Sequence, residues 1–362
     1  MNELRHCFKA AVLAAAPYRK PDSPAAIKLD QNESPFDLPD ELKRSVLKRI
    51  EAQPWHRYPE PGAGLLARLA RYAGVTPENL LVGNGSNDLL QTVALAALEP
   101  GARTLTVVPT FALYRTLLGV AGAAPMEVAY APDWSFPEAR VLQALAAHQP
   151  RLCVFASPNN PTGTQLLLPT LQRILRAAPG LVLVDEAYAD FAPETAVRLL
   201  AAHPNLLITR TFSKAWGLAG VRFGYLMAAP GLIAQLRKVQ LPYNVSAFTL
   251  AVVEAALQQP EYLARTVAMV EREKRRLRAA LMTLPGVAVA PSTANFLLVE
   301  TPRPAKELCA QLRSRGVSVR DVSGLHARLR HVIRVTVGRP EENSAFLAAL
   351  QEVLTMGNGN KR

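Results

Sequence analysis

The run Thr211-Phe-Ser-Lys-Ala-Trp-Gly-Leu-Ala-Gly-Val-Arg222 sets one lysine, Lys214, among small and apolar residues, with the hydroxyl of Ser213 beside it and the guanidinium of Arg222 eight residues on. A lysine bonds to a carbonyl carbon only through its neutral amine, and an ordinary side chain with a pKa near 10.4 has about one amine in 2,500 neutral at pH 7. Covalent chemistry at Lys214 therefore needs surroundings that make the ammonium easier to deprotonate. Burial moves a lysine down by roughly 3–5 units and a neighbouring cation adds to the effect. Ala215, Trp216, Gly217, Leu218 and Arg222 are suitable company. Ser213 and Arg222 are also side chains that can hold a phosphate, so the run suits a carbonyl compound that carries one. Taken alone, a Ser-Lys pair before a Gly-rich turn is more often a surface lysine, and the weight rests on what accompanies it.

Four further motifs follow apolar runs. Gly83-Asn-Gly-Ser-Asn-Asp-Leu-Leu90 opens a helical pattern, where backbone N–H groups at the positive helix end can cradle a phosphate. It lacks the third glycine of a dinucleotide fingerprint. Pro109-Thr-Phe-Ala-Leu-Tyr114 offers aromatic rings, and Ser157-Pro-Asn-Asn-Pro-Thr-Gly163 is a rigid turn able to present an amide. Asp185-Glu-Ala-Tyr188 puts a carboxylate and a phenol three residues apart at a strand end, although such an aspartate is as often a helix cap.

The elements that must carry these motifs are short apolar runs at 79–82, 104–108, 152–155, 181–184, 206–209 and 223–227, separated by helical patterns. Near-continuous apolar strands alternating with helices predict an α/β domain with a mainly parallel sheet covered by helices on both faces. The motifs fall after the carboxyl ends of its strands, where such sheets bind ligands. Beyond residue 261 the pattern changes to a long helix to about 284, apolar runs at 294–299, 317–320 and 331–337, and a helix at 305–315. Strands with fewer intervening helices predict a smaller α+β domain. Pro17, Pro21, Pro24, Pro35 and Pro39 mark an extended arm expected to join it. The expected division is an arm at 1–40, a large cofactor-binding domain at 41–262 and a small C-terminal domain at 263–362, with a frayed tail at 357–362.

The 362 residues are 49% hydrophobic and 19% charged, the balance of a packed globular protein rather than a disordered one. Forty-one Lys and Arg against 29 Asp and Glu leave +12, which favours anionic ligands and could suit nucleic acid, but no zinc-finger spacing or RNP-like motif accompanies it and no nucleic-acid partner is expected. The densest run, 271–278, mixes signs within a helical pattern, as a solvated face does. Cys7, Cys153 and Cys309 lie far apart without C-x-x-C spacing, against a disulfide framework or a structural metal and in favour of a reducing cytoplasm. The start superficially resembles a signal peptide, but its apolar stretch is short, and an amphipathic helix leading to Pro17 is the expected structure. No run reaches the 18 or so apolar residues of a membrane span.

Together, Asn160, Asp185, Tyr188, Ser213, Lys214 and Arg222 resemble the active-site set of the fold-type I aminotransferases, which use pyridoxal 5′-phosphate, and the likeness covers nearly the whole chain. The resemblance implies that Lys214 carries the cofactor and moves the substrate proton, and that Asp185 pairs with the pyridine nitrogen. It implies that Asn160 and Tyr188 bond the ring's phenolic oxygen, that Gly85, Ser86, Ser213 and Arg222 hold the phosphate, and that Phe111 stacks on the ring unless it is a core residue. Within this superfamily the chain is most similar to the histidinol-phosphate aminotransferases, through Asn32-Glu-Ser-Pro-Phe36, Arg57-Tyr58-Pro59 and Ile333-Arg-Val-Thr-Val-Gly338. That likeness implies a homodimer in which Tyr58 reaches the cofactor phosphate of the other subunit. It also implies a substrate side built from Asn32, Arg334 for a carboxylate, and Arg320 and Tyr18 for a phosphate. A salt bridge to Asp321 or to another acid is the other reading of Arg320. The loop Asn84-Gly-Ser-Asn-Asp88 is less acidic than in some members, which leaves its phosphate contacts less firmly matched than the lysine. The implied reaction links L-histidinol phosphate and 2-oxoglutarate to imidazole-acetol phosphate and L-glutamate. An aromatic amino-acid aminotransferase or a threonine-phosphate decarboxylase of the same fold stays open, because which bond breaks depends on which one stands perpendicular to the ring.

Overall fold

The computed structural model describes residues 5–17 and 25–356. Tyr18, Pro21, Pro24 and the tail at 357–362 lie outside the described residues. In chain order the strands are β1 (Ile27–Leu29), β2 (Leu80–Gly83), β3 (Arg103–Val108), β4 (Ala124–Ala129), β5 (Leu152–Ala156), β6 (Leu181–Asp185), β7 (Leu206–Thr211), β8 (Gly224–Ala228), β9 (Ala288–Val289), β10 (Phe296–Glu300), β11 (Val317–Asp321) and β12 (Val332–Thr336).

Seven of them form one sheet in the order β2-β8-β7-β6-β5-β3-β4. The pairs β3/β4, β3/β5, β5/β6 and β6/β7 are parallel, and β8 runs antiparallel to both β7 and β2. The expected mainly parallel sheet is what these residues form. Every residue of β5, β7 and β8 is buried, as strands covered on both faces require. The pleat divides their side chains between two cores: Leu105, Val107, Phe155, Val184 and Ile208 face one, while Leu152, Val154, Leu183, Leu207 and Leu226 face the other. β4 was not expected from the sequence. It is an edge strand with Pro125 and Glu127 and no fully buried residue, and an edge is where a strand tolerates proline.

The second sheet has the order β1-β11-β12-β10-β9. β1 pairs in parallel with β11, Ile27 opposite Val317, so the amino-terminal segment becomes the outer strand of a sheet otherwise made of carboxy-terminal residues. The remaining pairs are antiparallel. Leu29, Leu297, Val299, Val319, Ile333 and Val335 pack under Leu308, Leu312, Phe346 and Leu350 to form a core of their own. The long helix Pro260–Leu281 opens on proline at its first position, where the missing N–H costs no hydrogen bond. It contributes Met269 and Val270 to a cluster with Tyr188 and Ala215, and Leu277 and Leu281 to the core of the second sheet. Near the start, Ala10–Ala14 is a single helical turn and a half beside Leu113–Val120, where Lys9 donates to the Val120 carbonyl at 3.0 Å. Among the described residues, no helix is long and apolar enough to cross a membrane.

Candidate active site

β7 ends at Thr211, and the chain folds back at once. Leu218 N–H donates to the Phe212 carbonyl at 3.0 Å and Gly217 N–H to the Lys214 carbonyl at 3.1 Å. Phe212 and Trp216, both buried, stack with centroids 5.1 Å apart. These contacts fix the loop on which Lys214 stands. Its Nζ donates to the Gln31 carbonyl at 3.1 Å and lies 5.9 Å from the centre of the Tyr188 ring. Burial, and then the charges of Arg334 and Arg222, lower the ammonium pKa from its ordinary 10.5 to about 8, with Glu33 and Asp185 opposing. The neighbourhood expected from the motif is present, and a cation from the far end of the chain adds to it.

Asp185 is the last residue of β6 and is buried. Tyr114 Oη donates to its Oδ2 at 2.7 Å and Thr209 Oγ1 to its Oδ1 at 3.2 Å. Burial pushes its pKa up, while these two hydroxyls and the Ala187 N–H pull the other way. Three residues on, the Tyr188 hydroxyl accepts from Asn32 Nδ2 at 2.8 Å, which leaves its own proton to donate. Asn32 is itself strained, with φ 54°. Thr336 holds it at both ends, accepting from its N–H at 2.9 Å and donating to its Oδ1 at 3.1 Å. A non-glycine residue in the left-handed region persists only where neighbours impose it, and here β12 imposes it.

Arg334, on β12, is buried. It donates to Asn160 Oδ1 at 2.7 Å and to the Asp30 carbonyl at 2.6 Å. Directly opposite it on β11 stands Arg320. Facing residues of an antiparallel pair share one face of the sheet and like charges there repel, so the arrangement favours an anion beside them. Asp321, next along β11, occupies the other face and accepts from the Ser323 N–H at 2.8 Å. That placement argues against the salt bridge to Arg320.

The Gly83–Asp88 segment turns from β2 into the helix Ser86–Ala97. Gly85 has φ +82°, and a Cβ there would stand 2.5 Å from Arg222 Nη2, so only glycine lets that guanidinium approach. Arg222, at φ 60°, donates to Ser213 Oγ at 3.3 Å. The first N–H groups of a helix, a serine hydroxyl and a guanidinium thus converge. Phe111 is half-buried, meets Tyr114 edge-on at 5.6 Å and packs against the core that holds Leu89, Leu90 and Leu118. Tyr58 stands apart: it is 78% exposed and stacks on Tyr243 at 4.4 Å, and among the described residues no hydrogen bond joins it to Lys214, Ser213 or Arg222.

The sequence left some contacts unread. Gln31 enters through its backbone carbonyl, which no side-chain pattern reveals. Tyr114 was visible as a ring at the right sheet edge, yet its hydrogen bond to Asp185 needs the β3 and β6 ends side by side. In the Asn159-Asn160 pair the roles divide: Asn159 accepts from Thr110 at 2.6 Å and donates to the Pro109 carbonyl at 3.0 Å, pinning the turn, and so leaves Asn160 to face Arg334.

Residues 24–350 match the model of the aminotransferase class I and II family. Histidinol-phosphate aminotransferase 2 of Nitrosococcus oceani is 40% identical over 338 residues, 92% of this chain and 93% of its own length. Histidinol-phosphate aminotransferase 1 of Carboxydothermus hydrogenoformans is 38% identical over 355 residues, 98% and 100% of the two chains. The crystal structure of the histidinol-phosphate aminotransferase from Sinorhizobium meliloti in complex with pyridoxal-5′-phosphate superposes with a TM-score of 0.88 at 26% identity, covering 96% of this chain and 98% of that one. Matched to that family over residues 24–350 and 38–40% identical to these two relatives over nearly its whole length, the chain belongs to the class I and II aminotransferases.

Proposed function

We propose that this enzyme uses pyridoxal 5′-phosphate to exchange an amino group between L-histidinol phosphate and 2-oxoglutarate, giving imidazole-acetol phosphate and L-glutamate. The residues fit that cofactor. The space above Gly85, which a Cβ would fill, lets Arg222 close on a phosphate together with Ser213 and the first N–H groups of the helix Ser86–Ala97. The buried Asp185 carboxylate suits a pyridinium nitrogen, and Tyr188 has a proton left for a phenolic oxygen. When bound, the cofactor supplies a carbonyl that condenses with amines and a ring that withdraws electrons from the carbon being deprotonated.

The chain's own residues do the rest. Lys214, held near pKa 8, offers a neutral amine close to neutral pH and can take a proton from one carbon and return it to another. Asp185 would hold the pyridine nitrogen, and its carboxylate would favour the protonated, electron-poor ring when the cofactor is bound. Arg334 presents a planar fork to a carboxylate, and Asn160 and the Asp30 carbonyl hold that fork in place. Glutamate has a carboxylate next to its amino group and histidinol phosphate has a phosphate instead, so one site must read two anions. The facing pair Arg320 and Arg334 is the observation that carries the substrate reading. In this reading 41–262 supply the bond-making groups, while the arm 1–40 and 263–362 supply Asn32, Arg320 and Arg334. A second copy of the chain covers the exposed aromatic surface of Trp55, Tyr58, Tyr243 and Phe248 and brings Tyr58 to its neighbour's phosphate site.

Assays with histidinol phosphate, phenylalanine and threonine phosphate, each with 2-oxoglutarate, test the proposal. Histidinol phosphate should have the largest kcat/KM. A wide preference for phenylalanine, or release of carbon dioxide from threonine phosphate, would overturn it.

A further inference from the structure

Behind the Lys214 loop lies a polar chain that the proposed reaction does not use. Trp216, two residues after Lys214, donates its indole N–H to the Tyr72 hydroxyl at 3.0 Å. That hydroxyl donates in turn to Asp190 Oδ1. Asp190 lies in the short turn Ala189–Phe191, two residues after Tyr188 and five after Asp185. Tyr72 belongs to neither loop, coming from the helix Ala63–Ala73. One phenol therefore joins the segment that carries the amine to the segment that carries the carboxylate and the active-site tyrosine.

The neighbouring groups bridge the same two segments. Arg210, four residues before Lys214, is 9% exposed and donates to Glu186 Oε2 at 2.9 Å and to Thr195 Oγ1 at 2.6 Å. Glu186 follows Asp185 directly, is 3% exposed, and also accepts from the Ala196 N–H at 2.6 Å. Rings fill the remaining space: Tyr72 packs on Trp216, Phe212 and Tyr225 with centroids 5.5, 6.0 and 6.5 Å away. An apolar core would hold this region together at lower desolvation cost, whereas hydrogen bonds of fixed direction between the two segments hold one arrangement.

We propose that Tyr72 is a positioning residue for Lys214: through Trp216 on one side and Asp190 on the other, its hydroxyl sets the spacing between the amine and the Asp185–Tyr188 segment and keeps the amine away from water. Burial is the largest cause lowering the Lys214 pKa, so the group that holds this loop closed also maintains the supply of neutral amine. Asp190 is raised by burial, with Tyr72 and Arg210 as the groups that oppose the rise, as expected of a carboxyl dependent on this contact.

The test is Tyr72→Phe in the full chain, which keeps the ring and removes both hydrogen bonds. The first readout is the titration of Lys214 in cofactor-free protein, followed by acetic anhydride labelling across pH and mass spectrometry of the peptide. The midpoint should rise from about 8 towards the ordinary 10.5. The second is turnover, where kcat should fall by about tenfold to a hundredfold while KM stays within roughly twofold. Trp216→Phe breaks the same contact from the loop side and carries the same expectations if Tyr72→Phe does not fold. A folded variant with a lower Tm but an unchanged Lys214 midpoint and unchanged kcat would reduce Tyr72 to a core stabiliser and overturn the proposal. Only the turnover arm rests on the proposed function. If the wild-type chain transaminates nothing, that function fails while the titration still decides the role of Tyr72.

Discussion

The two halves of the active site are built in different ways. At the carboxyl edge of the large sheet, Asp185 is held by Thr209 from the adjacent strand β7 and by Tyr114, and Lys214 stands on a loop closed by its own neighbours. At the corner formed by the second sheet, Asn32 is held by Thr336 and Arg334 by the Asp30 carbonyl, contacts between residues 304 apart in the chain. The backbone of the bond-making groups is thus carried by the large sheet and its loops, with the arm adding one contact each to Lys214 and Tyr188, whereas the recognising groups depend on how the arm and β12 meet. A disturbance of that meeting should impair recognition well before it impairs chemistry.

Substitutions can break this division. Lys214→Ala should remove the proton-moving group and lower kcat by about a hundredfold to ten-thousandfold, with cofactor phosphate binding largely kept; an undiminished rate would refute the assignment. Arg334→Leu should raise KM for glutamate and cost roughly 2 kcal/mol in kcat/KM, about thirtyfold, with a much smaller change in kcat. Arg320→Ala should cost about tenfold against the phosphate-bearing substrate and little against glutamate, so that equal losses on both would remove it from phosphate recognition.

The smallest effect sharpens the comparison, because the two halves touch electrostatically. Arg334 is the second cause, after burial, that lowers the Lys214 pKa. A depressed lysine pKa means that the protonated form is disfavoured in the folded chain, so neutral amine is lost as pH falls through about 8. Capture of pyridoxal phosphate by cofactor-free protein should slow on the acid side of that value. In Arg334→Leu the midpoint should move upward, and an unmoved midpoint would separate the two regions.

Legibility in the sequence followed the same line. The buried strands β5, β6 and β7 read as apolar runs because both faces are covered, and their ends announced Asp185, Lys214 and the Asn159-Asn160 turn. β4 was missed because its alternation is short: only Met126 and Val128 turn to the core, either side of the exposed Glu127, and Pro125 reads as a strand breaker. β1 is three residues long, too short for periodicity, yet it brings Gln31 and Asn32 to Lys214 and Tyr188. The strain at Asn32 and the pairing of Arg320 with Arg334 exist only once distant strands meet. Arg334 was marked by resemblance alone.

The most direct measurement is to incubate the purified chain with pyridoxal phosphate, reduce with borohydride and map the peptides. The pyridoxyl group should be found on Lys214, in the peptide that spans Ser213. Its recovery on another lysine, or on none, would contradict the central claim that this one buried amine is the reactive group.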